Sequence, residues 1–241
     1  MAVHLPDNTP VHRVSVRPKF VANSKVVVNS LGQRQPGQGA MGRAFVTVVG
    51  LVWLGASVAG LGSLWRYDAT PGPVGASPTR LPLQIGGSFA RIAILYMFVH
   101  PRCPCSRASI AELDRLMARC DDRLRAEVYF YKPSAAPEGW EKTDLWRSAA
   151  AIPGVHVHSD TAGVEARRLQ ARTSGETMLY AADGRLLFHG GITWARGHSG
   201  DNAGSAAVIS VLQTGRAPIT TAPVFGCSLL GPLSDGKSGE E

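Results

Sequence analysis

The chain has 241 residues, 44% hydrophobic and 18% charged, which suits one domain of ordinary size with extensions and excludes a wholly disordered polymer. Its formal charge is +7, yet residues 1–65 hold six Lys/Arg against Asp7 alone, leaving 19 basic and 17 acidic residues in the other 176. A nucleic-acid-binding domain carries its basic excess where phosphate meets the folded surface; here the excess precedes the domain, so that class is excluded.

Residues 1–43 form a basic segment containing QRQPGQG and no sustained apolar period, and are expected to be disordered. Residues 44–65, AFVTVVGLVWLGASVAGLGSLW, contain no charge. Twenty-two helical residues rise by roughly 33 Å, enough to cross a bilayer core, so this segment is expected to be one transmembrane helix. Arg43 and the basic residues before it predict a cytoplasmic N-terminus and an external, periplasmic or otherwise extracytoplasmic, C-terminal domain. A competing reading starts the chain at Met41 as a secretory signal peptide, with Ser57-Val58-Ala59 as the cleavage site; the length of the run and of the extension before it favours an uncleaved signal anchor. Gly55 and Ala59 form a small-xxx-small pair, too common in such segments to define an oligomeric state. Residues 66–82 include RYDATPGPVGASPTR, a proline-rich spacer expected to hold the domain off the membrane.

Within the folded domain, Ile92 to Val99 is a continuous apolar run that predicts a strand buried on both faces. The following SRASIAELDRLMARC puts Ile110, Leu113, Leu116, Met117 and Cys120 on one helical face. AEVYFYKP then reads as a strand ended by Pro133, giving a right-handed βαβ unit. A short helix at 143–151, a brief strand GVHVH and a helix from Asp160 to about Ala171 come next. ETMLYAADGRLLFHGGI predicts a hairpin about Asp183-Gly184, and Asp201 or Asn202 is positioned to cap a last helix reaching about Leu212. The order is that of an α/β fold, a central mixed sheet flanked by helices and preceded by the transmembrane helix.

This order puts HPRCPCSRAS, residues 100–109, at the C-terminal end of the first strand and the start of its helix. Sites gather at such strand ends, and a helix N-terminus stabilises thiolate, the form that performs disulfide exchange and binds metal. Arg102 and Arg107 add positive charge nearby, as His100 would if protonated. Cys227 lies after the last helix in TAPVFGCSLLGP, where it can return as a resolving partner or tie down the tail. Cys120 belongs to the apolar face and is expected in the core.

A strand, a cysteine pair at a helix start and a terminal ββα resemble the thioredoxin-like superfamily over about residues 83–215, followed by a tail of residues 216–241 carrying Cys227. VHVHSDTAGVEARRLQARTSGETMLYAADGRLLFHGG, residues 155–191, is similar to the corresponding part of membrane-anchored, TlpA-like thioredoxins. HPRCPCSRAS, GGITWARGHSGDNAG and PVFGCSL together resemble the RedB-type bacterial proteins. The superfamily implies thiol–disulfide chemistry without a cofactor, with protein thiols or disulfides as partners. This chain departs from it in having C-x-C for C-x-x-C, and Glu176 about where the family has a cis-proline facing the cysteines. Aligning CPCS keeps Cys103 as nucleophile with Ser106 in the second position; aligning RCPC leaves Arg102 in the nucleophile's place.

The expected function is therefore a membrane-anchored, externally facing thiol–disulfide oxidoreductase in which Cys103 attacks and Cys105 or Cys227 resolves. One alternative is a metal-binding or copper-delivery protein using Cys103, Cys105 and His100, with His156 and His158 a further pair on one strand face. Another is a redox-inactive adaptor on the same scaffold. Arg196, His198, Asp201 and Asn202 lie in a glycine-rich loop that reads first as a helix-capping surface loop, with contact to a ligand as the alternative.

Overall fold

The computed structural model describes residues 38–81 and 92–230. The expected disorder before residue 38, the start of the domain near residue 83 and the end of the tail fall outside the described residues. Helix α1 (Gln38–Ala69) begins earlier and ends later than the uncharged run, since Arg66, Tyr67 and Asp68 continue the same helical turns. Its stretch Met41–Ala69 is long and apolar enough to cross a membrane, and no part of its most apolar window is buried against protein.

The rest of the chain follows in the order β1 (Ala93–Val99), α2 (Ser106–Cys120), β2 (Leu124–Lys132), α3 (Asp144–Ala150), β3 (Val155–Thr161), α4 (Val164–Arg168), β4 (Glu176–Tyr180), β5 (Leu186–Gly190), α5 (Ala203–Thr214) and β6 (Thr221–Ala222). One six-stranded sheet runs β3-β2-β1-β4-β5-β6. β1 is parallel to β2 and antiparallel to β4, β2 is parallel to β3, and the β4–β5 hairpin is antiparallel. This is the thioredoxin-like fold.

Every residue of β1 is buried, as its unbroken apolar run requires of a central strand. The two-residue strand period divides that run between two cores. Leu95, Met97 and Val99 share one core with Ile110, Leu113, Leu116 and Met117 of α2, Leu145 of α3 and Val208 of α5. Ile94, Tyr96 and Phe98 share the other with Ala166 of α4, Met178 and Tyr180 of β4, and Leu229 of the tail. Gly184, at φ +79°, supplies the left-handed residue that the hairpin loop needs, and its N–H donates to the Ala181 carbonyl at 2.9 Å.

Two local readings change. The helix expected from Asp160 to about Ala171 is only the five residues of α4, because β3 runs on to Thr161 and the chain then turns through Ala162 at φ +59°. Asp160 faces inward at the strand end, and its two carboxylate oxygens accept from the N–H groups of Glu165 and Ala166 at 2.9 Å each. Residues 70–81, expected to be a spacer, are pinned along the domain: Thr173 Oγ1 donates to the Pro73 carbonyl at 2.6 Å, and Tyr180 OH to that of Pro78 at 3.0 Å.

Of the two candidate caps of α5, Asn202 is the one used. Its Oδ1 accepts from Ser205 N–H at 2.8 Å, and Gly215 closes the helix. Asn202→Ala is expected to cost about 1 kcal/mol, read as a lowered midpoint of chemical unfolding, whereas Asp201→Ala leaves it unchanged.

Candidate thiol site

The turn between β1 and α2 carries two of the three thiols. Cys103 N–H donates to the His100 carbonyl at 3.0 Å, and Ser106 N–H returns to the Cys103 carbonyl at 3.2 Å, winding the chain into the first turn of α2. Cys103 stands three residues ahead of the first residue of α2, where hydrogen bonding from Ser106 favours its thiolate. Cys103 is 1% exposed and Cys105 8%.

The third thiol arrives from the far end of the chain. β6 pairs in parallel with β5, and the tail beyond it runs antiparallel to the loop before β4. Ser174 N–H donates to the Cys227 carbonyl and Leu229 N–H to that of Arg172, both at 2.9 Å. Gly226 passes so close that a Cβ there would stand 1.9 Å from the Ser174 carbonyl oxygen, so only glycine allows the tail this approach. The outcome is that Cys103, Cys105 and Cys227 lie with their sulfurs all within 4.8 Å of one another. None of the four cysteines is in a disulfide, and Cys120 is buried on α2 among the core side chains.

Three unequal thiols result. Burial pushes the Cys103 thiol up, but hydrogen bonds to its sulfur from Cys227 and Ser106 outweigh this and hold it below the usual cysteine range. Burial raises Cys105, as does the charge of Cys103, against the opposing pull of Arg196. Burial, the hydrogen bond given to Cys103 and the nearby sulfur charge push Cys227 up to about 12. Of the three, Cys103 is thus the thiol whose surroundings favour thiolate.

Buried hydroxyls, which the sequence pattern does not single out, support that charge. Ser106 and Ser174 are both fully buried, with their Oγ atoms 2.7 Å apart. Ser174 Oγ accepts from His100 N–H at 2.7 Å, which leaves its own proton for Ser106 and the Ser106 proton for the Cys103 sulfur. The expected result for the reduced chain is ultraviolet thiolate absorbance that appears below the ordinary cysteine range of about 8.5, disappears in Cys103→Ser and moves to higher pH in Ser106→Ala. Absorbance rising only in the ordinary range or above would contradict the assignment.

The cation nearest the thiols also differs from expectation. Arg107 pairs with Asp144, and Arg102 lies over the Trp140 ring, 4.5 Å from its centroid. Arg196 reaches Cys105 instead. Its guanidinium also donates to the carbonyls of Tyr67, Thr70 and Gly226, so one side chain binds the tail and faces the sulfurs. The signal for it was present in GGITWARGHSGDN, but its direction depends on the fold.

His100 does not join the sulfurs. Its Nδ1 accepts from Arg102 N–H at 3.2 Å, its ring stacks on Tyr131 and meets Trp140 edge-on, and burial followed by the Arg102 charge lowers its pKa, favouring neutral imidazole. His156 and His158 share a face as expected, yet both turn to Glu127, at 3.4 and 2.6 Å, which Arg125 also approaches. Glu176, in the region where the resemblance implies proline, is fully buried. Its Oε2 accepts from the N–H groups of Arg172 and Thr173 at 2.8 and 3.1 Å, and its Oε1 from Gly75 N–H at 2.9 Å, with His189 Nε2 at 2.7 Å. No cis peptide bond occurs among the described residues. A carboxylate thus shapes the loop that offers Ser174 to the site.

No protein-family model matches the chain, and no curated protein does. Among solved structures it is similar to an uncharacterized conserved protein from Geobacillus kaustophilus, 18% identical over 69% of this chain and 94% of that one, with a TM-score of 0.50. It is also similar to a hypothetical protein from Sinorhizobium meliloti 1021, 21% identical over 67% of this chain and 96% of that one, TM-score 0.49. A further match is a secreted Mycobacterium tuberculosis disulfide oxidoreductase homologous to E. coli DsbE, 18% identical over 41% of this chain and 69% of that one, TM-score 0.31. At 18% identity and a TM-score of 0.50 the Geobacillus likeness is one of fold alone; the strand order and pairing described above are those of the thioredoxin-like fold.

Proposed function

We propose that the chain is a membrane-anchored thiol–disulfide oxidoreductase of TlpA-like type, with its domain on the external face and Cys103, Cys105 and Cys227 as its reactive groups. The observation that carries this reading is the meeting of three sulfurs within 4.8 Å at the start of α2. The basic residues up to Arg43, ahead of the apolar helix, support an inward N-terminus.

In the reductive direction the Cys103 thiolate attacks one sulfur of a substrate disulfide and expels the other as a thiolate. Cys227 then loses its proton and attacks the Cys103 sulfur, releasing the second substrate thiol. The substrate gains two electrons and two protons, and the protein is left with a Cys103–Cys227 disulfide; the oxidative direction reverses each bond change. Cys227 is the preferred partner because its sulfur comes within 4.8 Å of the Cys103 sulfur from a separate segment, whereas Cys103–Cys105 closes a very small ring.

The test uses the oxidised full-length chain in detergent with a reduced dithiol peptide. Formation of one peptide disulfide for each protein disulfide lost is expected. Recovery of the peptide unchanged, from chain shown to hold a disulfide, would overturn the reading.

A further inference from the structure

We infer that the reduced chain binds one Cu(I) ion in a trigonal site made by the sulfurs of Cys103, Cys105 and Cys227. This goes beyond disulfide exchange and does not depend on it, since the two uses draw on opposite redox states of the same atoms.

The donor set points to the ion. The three sulfurs lie within 4.8 Å of one another, and three thiolates placed about 2.3 Å from a central metal would stand roughly 4 Å apart, so closing on an ion needs less than about 1 Å of movement. Among the described residues no histidine or carboxylate joins the three sulfurs. His100, the nearest histidine in sequence, is occupied by the Arg102 N–H and by Tyr131 and Trp140. Structural Zn(II) sites take four donors, and among the described residues no protein group supplies a fourth beside the three sulfurs. Three soft thiolates with no fourth ligand favour Cu(I).

The surroundings suit the charge. Three thiolates and one Cu(I) carry two net negative charges, met by the Arg196 guanidinium at Cys105 and by the N-terminal end of α2. Ser106 hydrogen-bonds the Cys103 sulfur as an outer-shell group. The third ligand is held before any ion arrives: Arg196 donates to the Gly226 carbonyl and Ser174 N–H to that of Cys227. The C-x-C pair alone supplies two donors, and the tail makes the set three.

The experiment titrates the full-length chain in detergent, without oxygen and with a phosphine reductant, using Cu(I) held by a chromophoric chelator. Expected are transfer of one Cu(I) per chain, three sulfur neighbours by X-ray absorption, and an affinity loss of about 100-fold or more in each of Cys103→Ser, Cys105→Ser and Cys227→Ser. His100→Ala and Cys120→Ser should bind as wild type. Failure of wild type to take Cu(I) from the chelator, two-sulfur coordination unaffected by Cys227→Ser, or Zn(II) held as tightly in a four-coordinate site would each overturn the inference. The wild-type stoichiometry and coordination number keep the test decisive if a variant fails to fold. Disulfide formation in separate, metal-free samples reports on the exchange reading independently.

Discussion

Cys103→Ser should lower the rate of disulfide exchange by roughly 10³-fold or more, because it removes the one sulfur whose surroundings favour thiolate. The other two thiols are not substitutes: burial and the charge of Cys103 push both Cys105 and Cys227 toward the neutral form. Cys227→Ser should behave differently. Its Cys103 can still attack, so a mixed disulfide with the substrate should accumulate and resolve slowly. The measurement is exchange with a dithiol peptide, combined with mass detection of the mixed species after acid quenching. Near-wild-type turnover in Cys103→Ser would contradict the assigned roles, as would rapid resolution in Cys227→Ser.

The second large effect is expected at Glu176. Replacing it with alanine strands the N–H groups of Gly75, Arg172 and Thr173 and deprives His189 of its partner, all around a site that is fully buried. Unsatisfied buried donors cost about 1–3 kcal/mol each and do not add fully, so a loss of about 4 kcal/mol is expected in chemical unfolding. Glu176→Gln keeps the shape but turns one acceptor into a donor aimed at N–H groups, and should lose about half as much. The same change loosens the loop bearing Ser174, whose hydroxyl orients the Ser106 proton toward Cys103, so thiolate should also appear at higher pH. A Glu176→Ala chain within about 1 kcal/mol of wild type would show that the loop holds its form without the carboxylate.

What the sequence reveals follows the range of the interactions involved. β1 was legible because eight consecutive apolar residues bounded by Arg91 and His100 leave few alternatives to a central strand. α2 was legible from its apolar face, the hairpin from Asp183-Gly184, and the α5 start from its cap residues. The position of Cys103 and Cys105 at a strand-to-helix junction follows from these local signals. α4 was overestimated because Asp160 serves as a buried end-group of β3 whose carboxylate starts the helix later, a role decided by burial and not by period.

The missing parts depend on contacts across long separations. That Cys227 returns to Cys103 rests on β6 pairing with β5 and on Gly226 fitting against Ser174, which no local pattern encodes. Glu176 reads from sequence as the loss of a proline; only the fold reveals that four groups converge on its carboxylate. Arg102 and Arg107 were the obvious cations by position, but aromatic stacking and Asp144 engage them, and Arg196 from a distant loop takes their place.

Mass mapping of the full-length chain, purified without reductant, tests the central claim most directly. The account predicts that the Cys103–Arg107 peptide is joined to the peptide carrying Cys227, that fragmentation assigns the bond to Cys103, and that Cys120 remains a free thiol. Four free thiols after treatment with a mild oxidant, or a disulfide that includes Cys120, would contradict it.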